Sequence, residues 1–258
     1  MITRDLFEII KNKYGYVASW AAWDAVGDKP KSNMGNMAIF EPDSYSSILQ
    51  ILNVNVVLVG LNVSRDVKFE KPFMNFHDSS PYANDFKIRY ALRETPFYGA
   101  YMTDIIKNLA MVSSKDVLEH LKENPEIVEE NINSLREELL LIQSSKPIII
   151  AFGADTFDIL KTNLNKNEYS NLVKLTHYSH QISKENYKKE VYSQLYNSLG
   201  YVSSITEFFT VVEKDMQGYI SRARAIENIG TPEEISALIK AKNTAKCFYE
   251  LLGRLENT

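Results

Sequence analysis

The chain alternates short apolar runs with stretches of helical periodicity. Residues 54–60 are almost continuously apolar and rich in valine, the pattern of a strand covered on both faces. Residues 98–102 and 147–152 read the same way, and Leu172 to Thr176 reads as a shorter fourth strand. Between these runs Val128, Ile132, Leu135, Leu139 and Ile142 recur every three or four residues, and Phe157 and Leu160 follow a turn at Gly153, so helices cross between the strands. The repeating strand, helix, strand unit predicts an α/β fold, a three-layer αβα sandwich with a four-stranded, mainly parallel sheet. Trp20 and Trp23 stand three apart, like one face of a helix, and are expected in the core.

Past Leu199 the pattern changes. Ile205, Phe208, Val212, Met216, Tyr219, Ala223 and Ile226 keep helical spacing with no strand after them, and Gly230 ends the run. Thr231-Pro232-Glu233-Glu234 then carries an N-cap threonine, a proline at the first helical position and a capping-box glutamate, a strong start signal for another helix. The expected division is an α/β domain over 1–200 and a C-terminal α-helical hairpin over 201–258. The hairpin either packs on its own domain or offers a face for a homodimer or a protein partner.

Composition narrows the function classes. The chain has 258 residues, 45% hydrophobic and 24% charged, with a net charge of −4, the balance of a folded globular protein. Its one cysteine, Cys247, excludes an internal disulfide framework, a multi-cysteine zinc site and a four-thiolate iron–sulfur cluster within the chain. Only four histidines are present, so a histidine-only metal cage would need nearly all of them, and neither a metal nor another cofactor is expected. No run of 18 apolar residues occurs, and Arg4, Asp5 and Glu8 interrupt the N-terminal stretch. A cytoplasmic location without membrane contact is therefore the expectation.

The acidic balance argues against a general polyanion binder and leaves room for a local basic face. Between Arg65 and Arg93, the six cations Arg65, Lys68, Lys71, Lys87, Arg89 and Arg93 face the four anions Asp66, Glu70, Asp78 and Asp85. The surplus of two allows a few phosphate contacts, whose binding would weaken with salt. Tyr82, Phe86 and Tyr90 lie in the same span, to stack on exposed bases or to enter the core.

In an open parallel sheet, ligands bind beyond the carboxyl ends of the strands. The residues after the four predicted strands are Gly60-Leu61-Asn62-Val63-Ser64-Arg65, Thr103-Asp104, Gly153-Ala154-Asp155 and His177-Tyr178-Ser179-His180-Gln181. An asparagine, a carboxylate and a histidine thus converge on one edge. Each also has a local explanation: Asn62 and Asp104 as caps of the following helices, His177 as a hydrogen-bonded loop residue.

Taken together and in order, these segments resemble the uracil-DNA glycosylase superfamily over roughly residues 50–200. Gly60-Leu61-Asn62 resembles its first motif, a strand-ending glycine followed by a water-positioning Asn or Asp. Tyr101-Met102-Thr103-Asp104 is similar to the segment whose polar residue reads the flipped base, and His177-Tyr178-Ser179 to a His-Pro-Ser motif whose following residues wedge into the duplex. The resemblance implies that Asn62 orients the water, that His177 donates to the anionic base, and that Phe73 or Phe76, in Lys71-Pro72-Phe73-Met74-Asn75-Phe76-His77, is the stacking platform. It also implies DNA contacts at Ser64, Arg65, Ser179 and Gln181, with Lys87 and Arg89 supplying charge, on single- or double-stranded DNA.

Three departures stand out: Val63 and Tyr178 where the family has prolines, and Asp104 where it commonly has an asparagine. An ionised aspartate only accepts hydrogen bonds, which suits a base presenting donors; a raised pKa would instead keep it protonated. The expected activity is a metal-independent, monofunctional base glycosylase. The alternatives are a non-catalytic nucleic-acid sensor on the same fold, for instance in bacterial defence, and a hydrolase of free nucleosides or nucleotides.

Overall fold

Five strands build one mixed sheet in the order β1-β3-β2-β4-β5. They are β1 (Ala18–Trp20), β2 (Asn53–Asn62), β3 (Ala100–Ile106), β4 (Ile148–Phe152) and β5 (Asn171–Leu175). The computed structural model describes residues 2–199 apart from 65–68, 94, 110 and 112. The chain divides into a first unit, Met1–Tyr201, and a second, Val202–Thr258. The helical hairpin expected over 201–258, with any partner surface on it, lies outside the described residues, as does Arg65.

β2, β3, β4 and β5 run parallel, and β1 pairs antiparallel with β3 at the edge. The sheet therefore has five strands and is mixed, which corrects the four-stranded expectation. The added strand holds three residues, too few to show an alternating pattern. Trp20 and Trp23 are both buried, but Trp20 sits in this strand and not on a helix.

β3 also begins and ends later than its apolar run. Gly99 has φ +81°, and a Cβ there would stand 2.0 Å from the Ile51 carbonyl oxygen, so Tyr98-Gly99 is a turn that only glycine fits. At the other end the ladder continues through Thr103, Asp104, Ile105 and Ile106, all buried. Asp104 thus lies inside the strand, opposite Gly60 of β2.

The helices are α1 (Arg4–Tyr14), α2 (Tyr45–Ile51), α3 (Phe86–Leu92), α4 (Ser114–Glu123), α5 (Pro125–Leu141), α6 (Ala154–Asn163) and α7 (Lys184–Leu199). α5 starts on Pro125, whose missing N–H costs nothing at a first turn, and buries Ile132, Leu135 and Leu139 along one stripe. One core cluster joins Val57, Val59, Tyr101, Ile105, Ile149 and Ala151 of the sheet to residues of α1, α2, α4, α5 and α6. The other joins Leu58, Met102, Ile150, Phe152, Val173 and Leu175 to α3 and α7. Alternate strand residues serve the two clusters, as the period of two requires. Among the described residues no helix is long and apolar enough to cross a membrane.

Candidate active site

After β3 the chain returns past β2 to β4, so the connections diverge between β2 and β4, the point at which open sheets bind ligands beyond their carboxyl ends. Asn62, Asp104 and His177 belong to this edge through β2, β3 and the segment after β5.

Asp104 is 3% exposed and leans toward its register partner: a Cβ built on Gly60 would stand 2.1 Å from Oδ1 of Asp104 and 3.5 Å from Cε1 of Phe76. Glycine at 60 is what leaves room for the carboxyl. Its other oxygen, Oδ2, accepts a 2.8 Å hydrogen bond from Nδ2 of Asn75. Burial pushes the carboxyl up to about 7, opposed by the Asn75 hydrogen bond and by Lys107. Gly60→Ala is therefore expected to cost about 1–3 kcal/mol by overpacking. Asp104→Ala in the same chain should recover much of that loss, the non-additivity of two groups sharing one space. Equilibrium urea unfolding of both single variants and the double variant checks this, and strict additivity would contradict the contact.

His177 stacks on Tyr178, with ring centroids 4.4 Å apart and planes 23° apart. It rests against Gly153, where a Cβ would come within 3.7 Å of the His177 Cβ. Its Nδ1 accepts from the backbone N–H of Ser179 at 3.2 Å, with the Ser179 hydroxyl 2.8 Å away. A backbone N–H only donates, so the neutral ring must carry its proton on Nε2. Burial holds the imidazole down at about 4, so at neutral pH it is an uncharged Nε2–H donor. Tyr178 also meets Phe152 edge-on at 5.3 Å and Phe76 at 6.5 Å. Aromatic contacts thus run from His177 through Tyr178 to Phe76, which lies beside Asp104.

Asn62 donates from Nδ2 to the carbonyls of Met111 (2.8 Å) and Leu109 (3.4 Å). Two carbonyl acceptors fix the amide orientation, with the oxygen as the end to which a water would donate.

Other predicted site residues are placed differently. Phe73 is fully buried between Phe7 and Phe40 in the cluster with α1, so it is a core residue with no face for a ligand; Phe76 is also buried, in the cluster with α3 and α7, with its ring edge near Gly60 on the side of Asp104. Lys87 and Arg89 are 5% and 1% exposed, and correct the expectation of phosphate contacts. Lys87 donates from Nζ to the His180 carbonyl at 2.8 Å; Arg89 donates to the carbonyls of Pro30 (2.6 Å) and Asp24 (3.3 Å). Both cations pin loops, and burial lowers the pKa of each. Ser64, Ser179 and Gln181 are exposed, Ser179 with its hydroxyl on His177.

Two site residues had no assigned role in the sequence: Asn75, which meets Asp104, and Tyr178, which stacks on His177. The phenylalanines flanking Asn75 were visible in the sequence, but its partner becomes visible only with the strand register. Among the described residues no group of three or more His, Cys, Asp or Glu side chains is placed to hold a metal ion. The chain matches no known protein-family model, no curated protein and no solved structure.

Proposed function

We propose that the protein is a hydrolase of N-glycosidic bonds that releases a nucleobase, acting on a damaged or modified base flipped out of DNA. The observation that carries this reading is His177: an uncharged, half-buried imidazole with its lone pair held by Ser179 and its Nε2–H as donor. In such a hydrolysis the C1′–N bond breaks with its electron pair leaving on the base, water forms the new C1′–O bond, and the proton that water gives up ends on the departing base. Positive charge grows on the sugar and negative charge on the base, so a fixed donor aimed at the base acts where charge develops. His177 is that donor, Asn62 orients the water through its amide oxygen, and Tyr178, backed edge-on by the buried Phe76, is the aromatic wall against which an extruded base would rest.

The test incubates the protein with single- and double-stranded oligonucleotides carrying uracil, hypoxanthine, xanthine or modified cytosines, followed by alkaline cleavage of abasic sites. His177→Ala is expected to lower base release by about 100-fold or more, the scale of a lost donor to developing negative charge. No release by the native protein from any of these substrates would end the proposal for them.

A second reading, a hydrolase of free nucleosides, is favoured by one observation. Lys87 and Arg89 bind loop carbonyls and are buried, which removes two cations from the surface a DNA strand would need. Turnover of free nucleosides at the oligonucleotide rate would select it.

A further inference from the structure

We infer that Asn75 is a positioning residue that makes Asp104 address a ligand through Oδ1 alone. The inference rests on reading this sheet edge as the binding site and is independent of the bond cleaved there.

Five residues, Phe73 to His77, form a turn in which Phe73 and Phe76 have φ of +65° and +64°. The left-handed region costs a non-glycine residue roughly 1–2 kcal/mol, and such conformations persist only where the surroundings over-determine them. Here they do. Phe73 donates its N–H to the Gly15 carbonyl, and its own carbonyl accepts from the Ser19 hydroxyl at 2.8 Å. The Phe76 carbonyl accepts from Nε1 of Trp23 at 3.3 Å. The buried His77 ring lies between carbonyls, Nδ1 2.9 Å from that of Asn75 and Nε2 3.0 Å from that of Ala22. The braces from Ser19, Ala22 and Trp23 reach the turn from β1 and the residues after it, and what they present to the sheet is the Asn75 side chain.

Nδ2 of Asn75 stands 3.0 Å from the Val17 carbonyl and 2.8 Å from Oδ2 of Asp104. A carbonyl can only accept, so the contact with Val17 settles that the nitrogen, and not the amide oxygen, faces both partners. Both amide hydrogens are then in use, and Oδ2 of Asp104 must receive one of them. Accepting that bond suits Oδ2 to the carbonyl role of a neutral carboxyl, the better acceptor of its two oxygens, and so places the proton on Oδ1, the oxygen above Gly60. Asp104 thus presents one atom to a ligand, a donor when the carboxyl is neutral and an acceptor when it is ionised. This selects a ligand edge with a single polar group at that position and not a two-point match such as an asparagine gives. Besides Asn75, the groups acting electrostatically on Asp104 are Lys107, Glu138 and Asp85.

The experiment is a carboxyl-carbon NMR titration of the full-length protein from pH 4 to 9, with Asp104 assigned by the signal lost in Asp104→Asn. In Asn75→Ala the Asp104 midpoint is expected to rise by about one pH unit, the size of one lost hydrogen bond to an anion. An unchanged midpoint in a folded Asn75→Ala protein would make Asn75 a purely structural residue and overturn the inference. A second readout needs no substitution at 75: in the native protein the Asn75 side-chain amide protons should shift with the same midpoint as the Asp104 carboxyl, and should stop titrating in Asp104→Asn. Amide protons that ignore the Asp104 titration would also overturn it. Neither measurement uses base release, so a failure of the proposed activity would leave this result standing, and the reverse holds equally.

Discussion

Asp104→Asn is expected to be more stable than the native protein at pH 8, by up to roughly 4 kcal/mol, with the difference vanishing near pH 4. The cause is burial. The folded carboxyl titrates at about 7, against about 3.9 in an unfolded chain. Between those values the folded protein holds a proton that the unfolded chain releases. The stability this group contributes is fully present below about pH 4 and is lost as the pH rises to and through 7. Asparagine keeps the shape and can still accept from Asn75 Nδ2, but has nothing to ionise. Chemical denaturation of both proteins from pH 4 to 9 reads the difference directly, and parallel curves would show that Asp104 is solvated more than its burial implies. A site that tolerates so poorly placed a carboxylate is where function commonly outweighs stability.

His177 moves the other way. Its folded imidazole is held at about 4, below the usual 6.5, so the stability linked to it is present above about 6.5 and declines as the pH falls toward 4. Between about pH 4 and 7 both groups are largely uncharged. The edge then offers two neutral donors, Nε2 of His177 and Oδ1 of Asp104, while above 7 the second becomes an acceptor. Burial pushes the two pKa values past each other, the carboxyl above the imidazole, and groups perturbed in this way are candidates for a functional role.

How much of this was legible in the sequence depended on whether the deciding contact was local. β2, β4 and β5 announce themselves because each is a bounded apolar run, and α5 because Ile132, Leu135 and Leu139 repeat with the helical period. His177 and Asn62 were legible as candidates because position after or at the end of a strand is itself a local property. β3 was misplaced at both ends for opposite reasons. Gly99 looks like part of an apolar run, yet its φ and the Ile51 carbonyl make it a turn. Asp104 looks like a strand end, yet Gly60 and Asn75 give a buried carboxyl both space and a partner. Lys87 and Arg89 were misread because the carbonyls that satisfy them lie 59 to 93 residues away in sequence. Phe73 and Phe76 share one short motif but enter opposite clusters, and it is the left-handed backbone at both residues that sends their rings to the two sides of the sheet.

Lys107→Met is expected to cost about 3–5 kcal/mol at pH 7, the penalty for stranding one partner of a buried ion pair. Nζ of Lys107 lies 2.8 Å from Oε2 of Glu138, whose side chain is wholly buried. Oε1 of Glu138 accepts from the Tyr101 hydroxyl at 2.6 Å, and Nζ also donates to the backbone carbonyl of Asp104 at 2.6 Å. The ion pair therefore ties α5 to β3 and holds the carbonyl of Asp104 itself. Methionine preserves the hydrocarbon stem, so the loss would report charge and not a cavity. Adding Glu138→Gln should restore all but about 1 kcal/mol, because the neutral amide oxygen still accepts from Tyr101 and no charge is left uncompensated. Urea unfolding of the two single variants and the pair completes the cycle. A loss below about 1 kcal/mol in Lys107→Met would mean that water reaches Glu138 from the α5 side. The strand end that carries Asp104 would then be held by its ladder alone, and Gly60→Ala should perturb it more than overpacking by one methyl group allows.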